Sequence, residues 1–298
     1  MSESNRKTGL LFGADGRIRP LWRAVTFYVL TLWLLPYIGD AVIRLFAGKQ
    51  LIGISKWILN GYLYALIFTA IFARYEHRRV GSYGLPIKQA LSVPMWEGVL
   101  VGAAMTGSVV ASLYLLGAMQ VHGLETTGSA LVSSALYWLL VNIYIGVGEQ
   151  LLWRGYLLQT LWKSIGFWPG ATVAAIACTV DHYLNGSVQN IWDALPLMLL
   201  LLMMSYSLVR TGTLWFAVGL HTAFDYGELF ILGTNGGHGI QGRLLNATFT
   251  GPDWLTGGMR GLHASFLMAP AIVLAWLYIR WRYRPQPQGA RAWPGALS

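Results

Sequence analysis

Residues 136–155 read LYWLLVNIYIGVGEQLLWRG. The run is free of charge through Gly148, and then Glu149, Gln150 and Arg154 arrive within two turns of one helix. The fold depends on whether such a run belongs in water or in lipid. Composition answers for lipid. The chain has 298 residues, 55% hydrophobic and 11% charged, whereas a soluble domain is about one quarter charged. Its 14 Trp and 35 Gly fit aromatic belts at membrane interfaces and close helix packing within them. The expected fold is all-α, a polytopic transmembrane helical bundle forming one domain.

The net charge of +9 does not point to nucleic acid. That reading needs Lys and Arg gathered on a soluble face, and here they lie between apolar runs. Cys178 is the single cysteine, which excludes an internal disulfide and a Cys-based zinc site. A span needs roughly 20 apolar residues. About eight candidates follow: 21–43, 54–73, 95–119, 131–161 (only part of it in lipid), 169–186, 192–209, 213–232 and 262–281. With the N-terminus inside, sixteen of the 21 Lys and Arg fall on inner segments, among them Arg17, Arg74, Arg78, Lys163 and Arg282. The asymmetry predicts N-in and C-in. Residues 1–20 are then a cytoplasmic segment, 21–281 the membrane domain and 282–298 a cytoplasmic, disordered tail. Residues 74–93 read as an interfacial connection with basic residues at lipid headgroups, and 233–261 as an outer loop.

Ionisable residues inside a bilayer are costly and mark function by default. Three groups qualify: Glu149, Gln150 and Arg154; Asp181 and His182 in ACTVDHYLNG (177–186); and His221, Asp225 and Glu228 in LWFAVGLHTAFDYGELF (214–230). Positions i and i+4 share a helix face, so Gln150 stacks on Arg154 and His221 on Asp225. If the helices emerge at Lys163, Gly170 and Gly212, then Glu149, His182 and His221 lie roughly 21, 18 and 14 Å deep at 1.5 Å per residue. One layer holds all three. Each group also has an ordinary structural reading. Arg154 would snorkel to the interface, His182 would cap a helix end near Asn185-Gly186, Glu228 would reach the outer surface, and His221 with Asp225 would clasp two helices. The conjunction of a Glu with two His is a recurring hydrolytic kit.

In order and spacing these groups resemble the CPBP family of intramembrane proteases, which includes the type II CAAX prenyl endopeptidases and bacterial abortive-infection membrane proteins. Its motifs EExxxR, FxxxH and HxxxN/D read here as Glu149-Gln150-x-x-x-Arg154, Cys178-x-x-x-His182 and His221-x-x-x-Asp225. The flanks WRGYLLQTL, GFWPGATVAAIACTV, LWFAVGLH and GPDWLTGG are similar too. Two positions depart from the pattern, Gln150 for the second Glu and Cys178 for Phe. Without an acid at 150, Arg154 is expected to turn to Asp181 or Asp225.

The resemblance implies an intramembrane endopeptidase of a bacterial cytoplasmic membrane. Glu149 and His182 would activate water; His221 and Asp225 would serve the oxyanion and orientation, Asp225 holding the proton on His221. The implied partners are membrane lipid and a membrane-associated or lipidated peptide. Cofactor use stays open. One divalent metal such as zinc would take His182, His221 and Glu149 (or Asp225) as ligands, while a metal-free Glu/His scheme is equally writable and is favoured slightly by the lack of an HExxH-type pair. A non-proteolytic scaffold or immunity protein, and a proton-relay transporter, are the competing classes.

Overall fold

A backbone in lipid must satisfy its own hydrogen bonds, so an apolar chain of this kind folds as helices. The computed structural model describes residues 9–13, 15–34, 37–38, 62–234 and 242–284, the side chain of Met259 excepted. Within them the elements are α1 (Pro20–Tyr28, continued by a π-helical turn Val29–Leu34), α2 (Tyr62–Tyr75), α3 (Val93–Leu115), β1 (Met119–Leu124), α4 (Gly128–Glu149), α5 (Leu158–Ile165), α6 (Phe167–Leu184), α7 (Ile191–Thr211), α8 (Trp215–Asp225), β2 (Leu245–Phe249), α9 (Asp253–Thr256) and α10 (Met268–Arg282). Much of the first two expected spans, and the tail from Pro285, lie outside the described residues.

Among the described residues three helices are long and apolar enough to cross a membrane: Val93–Leu115, the continuous run Gly128–Ile165 and Ile191–Thr211. Gly128–Ile165 has 38 residues, about 57 Å of helix at 1.5 Å per residue. That is longer than a hydrocarbon core of roughly 30 Å requires of an upright crossing. Local signals set the ends. Pro20 opens α1, where a missing N–H costs nothing. The Asn190 side chain accepts from the N–H groups of Trp192 and Asp193 at 2.9 and 3.2 Å and starts α7. Gly212, at φ 76°, ends it.

Glycine lets two helices touch backbone to backbone. A Cβ on Gly98 or Gly102 of α3 would meet the carbonyls of Phe216 and Leu220 at 2.1 and 2.3 Å, and one on Gly219 would meet that of Met95 at 2.1 Å. This is small-residue packing of the membrane type, and it presses α8 against α3. Two apolar clusters result. One gathers Phe27, Tyr83, Trp153, Tyr156 and Leu158. The other gathers Met203, Met204, Phe216, Leu220, Phe224 and Ile272. Helix α7 supplies both, Leu197, Leu201 and Leu208 to the first and Leu200, Met203 and Met204 to the second.

Two expectations need correction. The span 95–119 ends at Leu115, and residues 119–124 pair antiparallel with 245–249, Met119 opposite Phe249, with an irregularity between Val121 and Gly123. The bundle therefore carries a short β-ribbon. The alternation in MQVHGL and LNATF is weak, and each segment reads as the edge of something else. Glu228 does not reach the surface; it is 1% exposed.

One polar cluster lies at the end of α2. Glu76 accepts from Arg23 at 2.7 Å, Lys163 at 3.2 Å and the Tyr156 hydroxyl at 3.0 Å, with Arg78 3.9 Å away. Burial pushes the Glu76 carboxyl upward, but Lys163, Arg23 and Tyr156 outweigh it and hold the group below the usual carboxylate range.

Candidate active site

Glu149 closes α4, and a π-helical segment, Gln150–Leu157, follows without a break. Such wide turns recur at functional sites. Here the segment is wholly buried and carries Gln150 and Arg154. Close backbone approach places the carboxylate: a Cβ on Gly148 would lie 2.4 Å from the ring of Tyr62. The Tyr62 hydroxyl thereby donates to Glu149 Oε1 at 2.8 Å, and its ring meets Tyr144 edge-on at 5.5 Å. The other oxygen, Oε2, faces His221 Nε2 at 3.8 Å.

A chain of hydrogen bonds fixes the protons next door. Arg154 only donates, and its Nη1 lies 3.1 Å from Gln150 Oε1. That sets the amide, so Gln150 Nε2 donates to His221 Nδ1 at 3.1 Å. In the neutral imidazole the proton is then on Nε2, which donates to Asp225 Oδ2 at 3.2 Å. Arg154 also donates to the Leu201 carbonyl at 3.1 Å and is 2% exposed. It neither snorkels nor turns to Asp181 or Asp225, as the sequence had led us to expect. Its partners are an amide and a carbonyl, because the π turn aims it at α7.

His182 lies near the end of α6. Its Nδ1 is 2.9 Å from the Cys178 carbonyl. A carbonyl only accepts, so the proton is on Nδ1 and the neutral ring presents Nε2 as a base. Cys178 Sγ lies 3.7 Å from the same Nδ1, filling the place where the motif has Phe. The imidazole of His182 lies within electrostatic reach of Glu149, as do His221 and Arg154, and Asp181 is in reach of both His182 and Glu149.

Among the described residues no three His, Cys, Asp or Glu side chains are grouped to hold a metal ion. Both nitrogens of His221 are occupied by Gln150 and Asp225. The arrangement is an acid–imidazole relay, able to move a proton at Glu149 and to offer an N–H beside it.

Two features escaped sequence reasoning. Tyr62 comes from YLYALIF, where nothing distinguishes it from a lipid-facing aromatic. Glu228 finds His263, whose ring Nδ1 lies 3.3 Å from Glu228 Oε1 and whose backbone N–H donates to the same oxygen at 3.2 Å. His263 is in a loop that reads as part of a span.

The family model described as Type II CAAX prenyl endopeptidase Rce1-like matches residues 131–227. No curated protein and no solved structure matches the chain. The matched segment is about a third of the sequence. It contains Glu149, Gln150, Arg154, His182, His221 and Asp225, and it leaves out Tyr62, Glu228 and His263. The segment that holds every motif residue is thus similar to the type II CAAX prenyl endopeptidase family.

Proposed function

We propose that this protein is an intramembrane endopeptidase acting on a membrane-associated or lipidated peptide. One observation carries the reading: Glu149 has one oxygen held by Tyr62 and the other turned toward His221. A water beside Oε2 gives its proton to Glu149, assisted by Nε2 of His182, as its oxygen attacks the scissile carbonyl carbon. The C–O bond forms and the carbonyl electrons move onto oxygen. The Nε2–H of His221, shared with Asp225, donates to that oxyanion. Collapse breaks the C–N bond, and Glu149 returns its proton to the leaving amine. The scheme routes no step through a metal.

We place the site in a bundle of about eight spans, N-in and C-in, in a bacterial cytoplasmic membrane. Tagging each loop for accessibility tests that count. Cleavage of a membrane-embedded peptide, run with and without a prenyl group, tests the activity. Loss in both Glu149→Ala and His182→Ala supports the protease; equal cleavage in either variant contradicts it. A second reading, a non-proteolytic scaffold or immunity protein, draws on Gln150, the amide that replaces the motif's second acid. It predicts a cellular phenotype that survives both substitutions.

A further inference from the structure

The cationic cluster at the end of α2 is not used by the chemistry above. It borders a cavity of about 430 Å³ lined by Ala70, Ala73, Arg74, His77, Arg78 and Val80. Three basic side chains and three apolar ones form its wall. The local charge is one-sided: Arg23, Arg78 and Lys163 already share a single acid, Glu76. Arg74 is exposed and has no ion pair among the described residues. Arg78 is anchored by Nη2 to the Ser82 carbonyl at 3.1 Å and by its guanidinium over the Tyr83 ring, 4.3 Å from the centroid. Its Nε and Nη1 are buried and make no hydrogen bond among the described residues, Nη1 lying 3.9 Å from Glu76 Oε2. Buried donors of this kind are costly to leave unmade.

Capping of the helix end does not explain these cations. The N–H groups of Glu76, His77 and Arg78 already take the carbonyls of Phe72, Arg74 and Ala73 at 2.8, 3.1 and 2.8 Å. His77 turns the chain at φ 55°, the position where such a cap usually has glycine. The turn sets His77 and Arg78 beside Arg74. Above them α2 offers an apolar outer face. Ile67 and Ile71 are 42% and 52% exposed and lie two turns and one turn before Arg74, a track on which a hydrocarbon chain can lie. An anion seated at the three basic residues has a place beside it for an acyl tail.

We propose that this cavity binds the phosphate of an anionic phospholipid, held by Arg74, His77 and Arg78 with its acyl chain along Ile67 and Ile71. The inference is independent of peptide hydrolysis, and its test reads binding. Delipidated protein in detergent is titrated with phosphatidylglycerol, phosphatidylcholine and inorganic phosphate, with bound species counted by native mass spectrometry. Phosphatidylglycerol binds tightest. Arg74→Gln, an exposed change that leaves the fold intact, weakens it about fivefold, and Arg74→Gln with Arg78→Gln about thirtyfold, taking about 1 kcal/mol per basic residue. Phosphate alone competing as well as the lipid, with the same losses in the variants, keeps the anion site and assigns it to free phosphate. Undiminished phosphatidylglycerol binding in Arg74→Gln and in the double variant, or equal affinity for phosphatidylcholine, overturns the proposal.

Discussion

Two histidine–carboxylate pairs lie close together around α8 and its extension. His221 meets Asp225 at 3.2 Å, and His263 meets Glu228 at 3.3 Å. The chemistry is the same and the surroundings differ. The Glu228 side chain is 1% exposed and its Oε1 also takes the backbone N–H of His263, so the pair ties a loop to a helix. His221 and Asp225 keep 13% and 14% of their side chains exposed, and a second carboxylate faces them from α4. A buried His–acid pair is a clasp; it becomes a candidate site when another acid, oriented by its own donor, faces the same imidazole.

The largest expected effect breaks that contrast most directly. Glu149→Ala should lower turnover about a thousandfold, the scale of a general base, while Glu228→Ala should leave turnover per folded molecule within about threefold. Steady-state cleavage at matched folded fraction checks both. Glu228→Ala should instead cost about 3 kcal/mol of stability, because His263 keeps a buried position without its acid; denaturation in mixed micelles measures it.

Glu76 sharpens the contrast with a third buried acid. Its carboxyl is held below the usual range by Lys163 and Arg23 despite burial. Its stabilisation is therefore complete above the ordinary carboxylate value of about 4.3 and fades as pH falls through the folded value. Glu76→Gln should cost about 3 kcal/mol at neutral pH, and the difference from wild type should shrink in acid. A gap that stays constant from pH 7 to pH 3 would contradict the ion-pair account.

Smaller effects test the orienting groups. Tyr62→Phe removes one charge-assisted hydrogen bond from Glu149, so kcat should fall about tenfold with KM unchanged. Gln150→Glu should move the His221 proton to Nδ1, read from imidazole ¹⁵N shifts; an unchanged tautomer would break the relay from Arg154.

Much of the site was legible because a helix repeats. The spacings of Gln150 with Arg154 and of His221 with Asp225 put each pair on one face, and each pair does meet, at 3.1 and 3.2 Å. What escaped depends on other elements. Tyr62 matters only because Gly148 lets its ring approach. The partner of Arg154 changed because a π turn rotates it toward Leu201. Glu228 looked exposed because its acceptor role depends on a loop 35 residues away. The ribbon of 119–124 with 245–249 needs two weak segments to meet, which neither announces alone.

The central claim is that Glu149 acts on water while Glu228 only holds structure. Reconstituted protein carrying Glu149→Ala or Glu228→Ala, given one membrane-embedded peptide at matched folded concentration, tests it directly. The account predicts cleavage abolished in the first and retained in the second. Cleavage persisting in Glu149→Ala would contradict it.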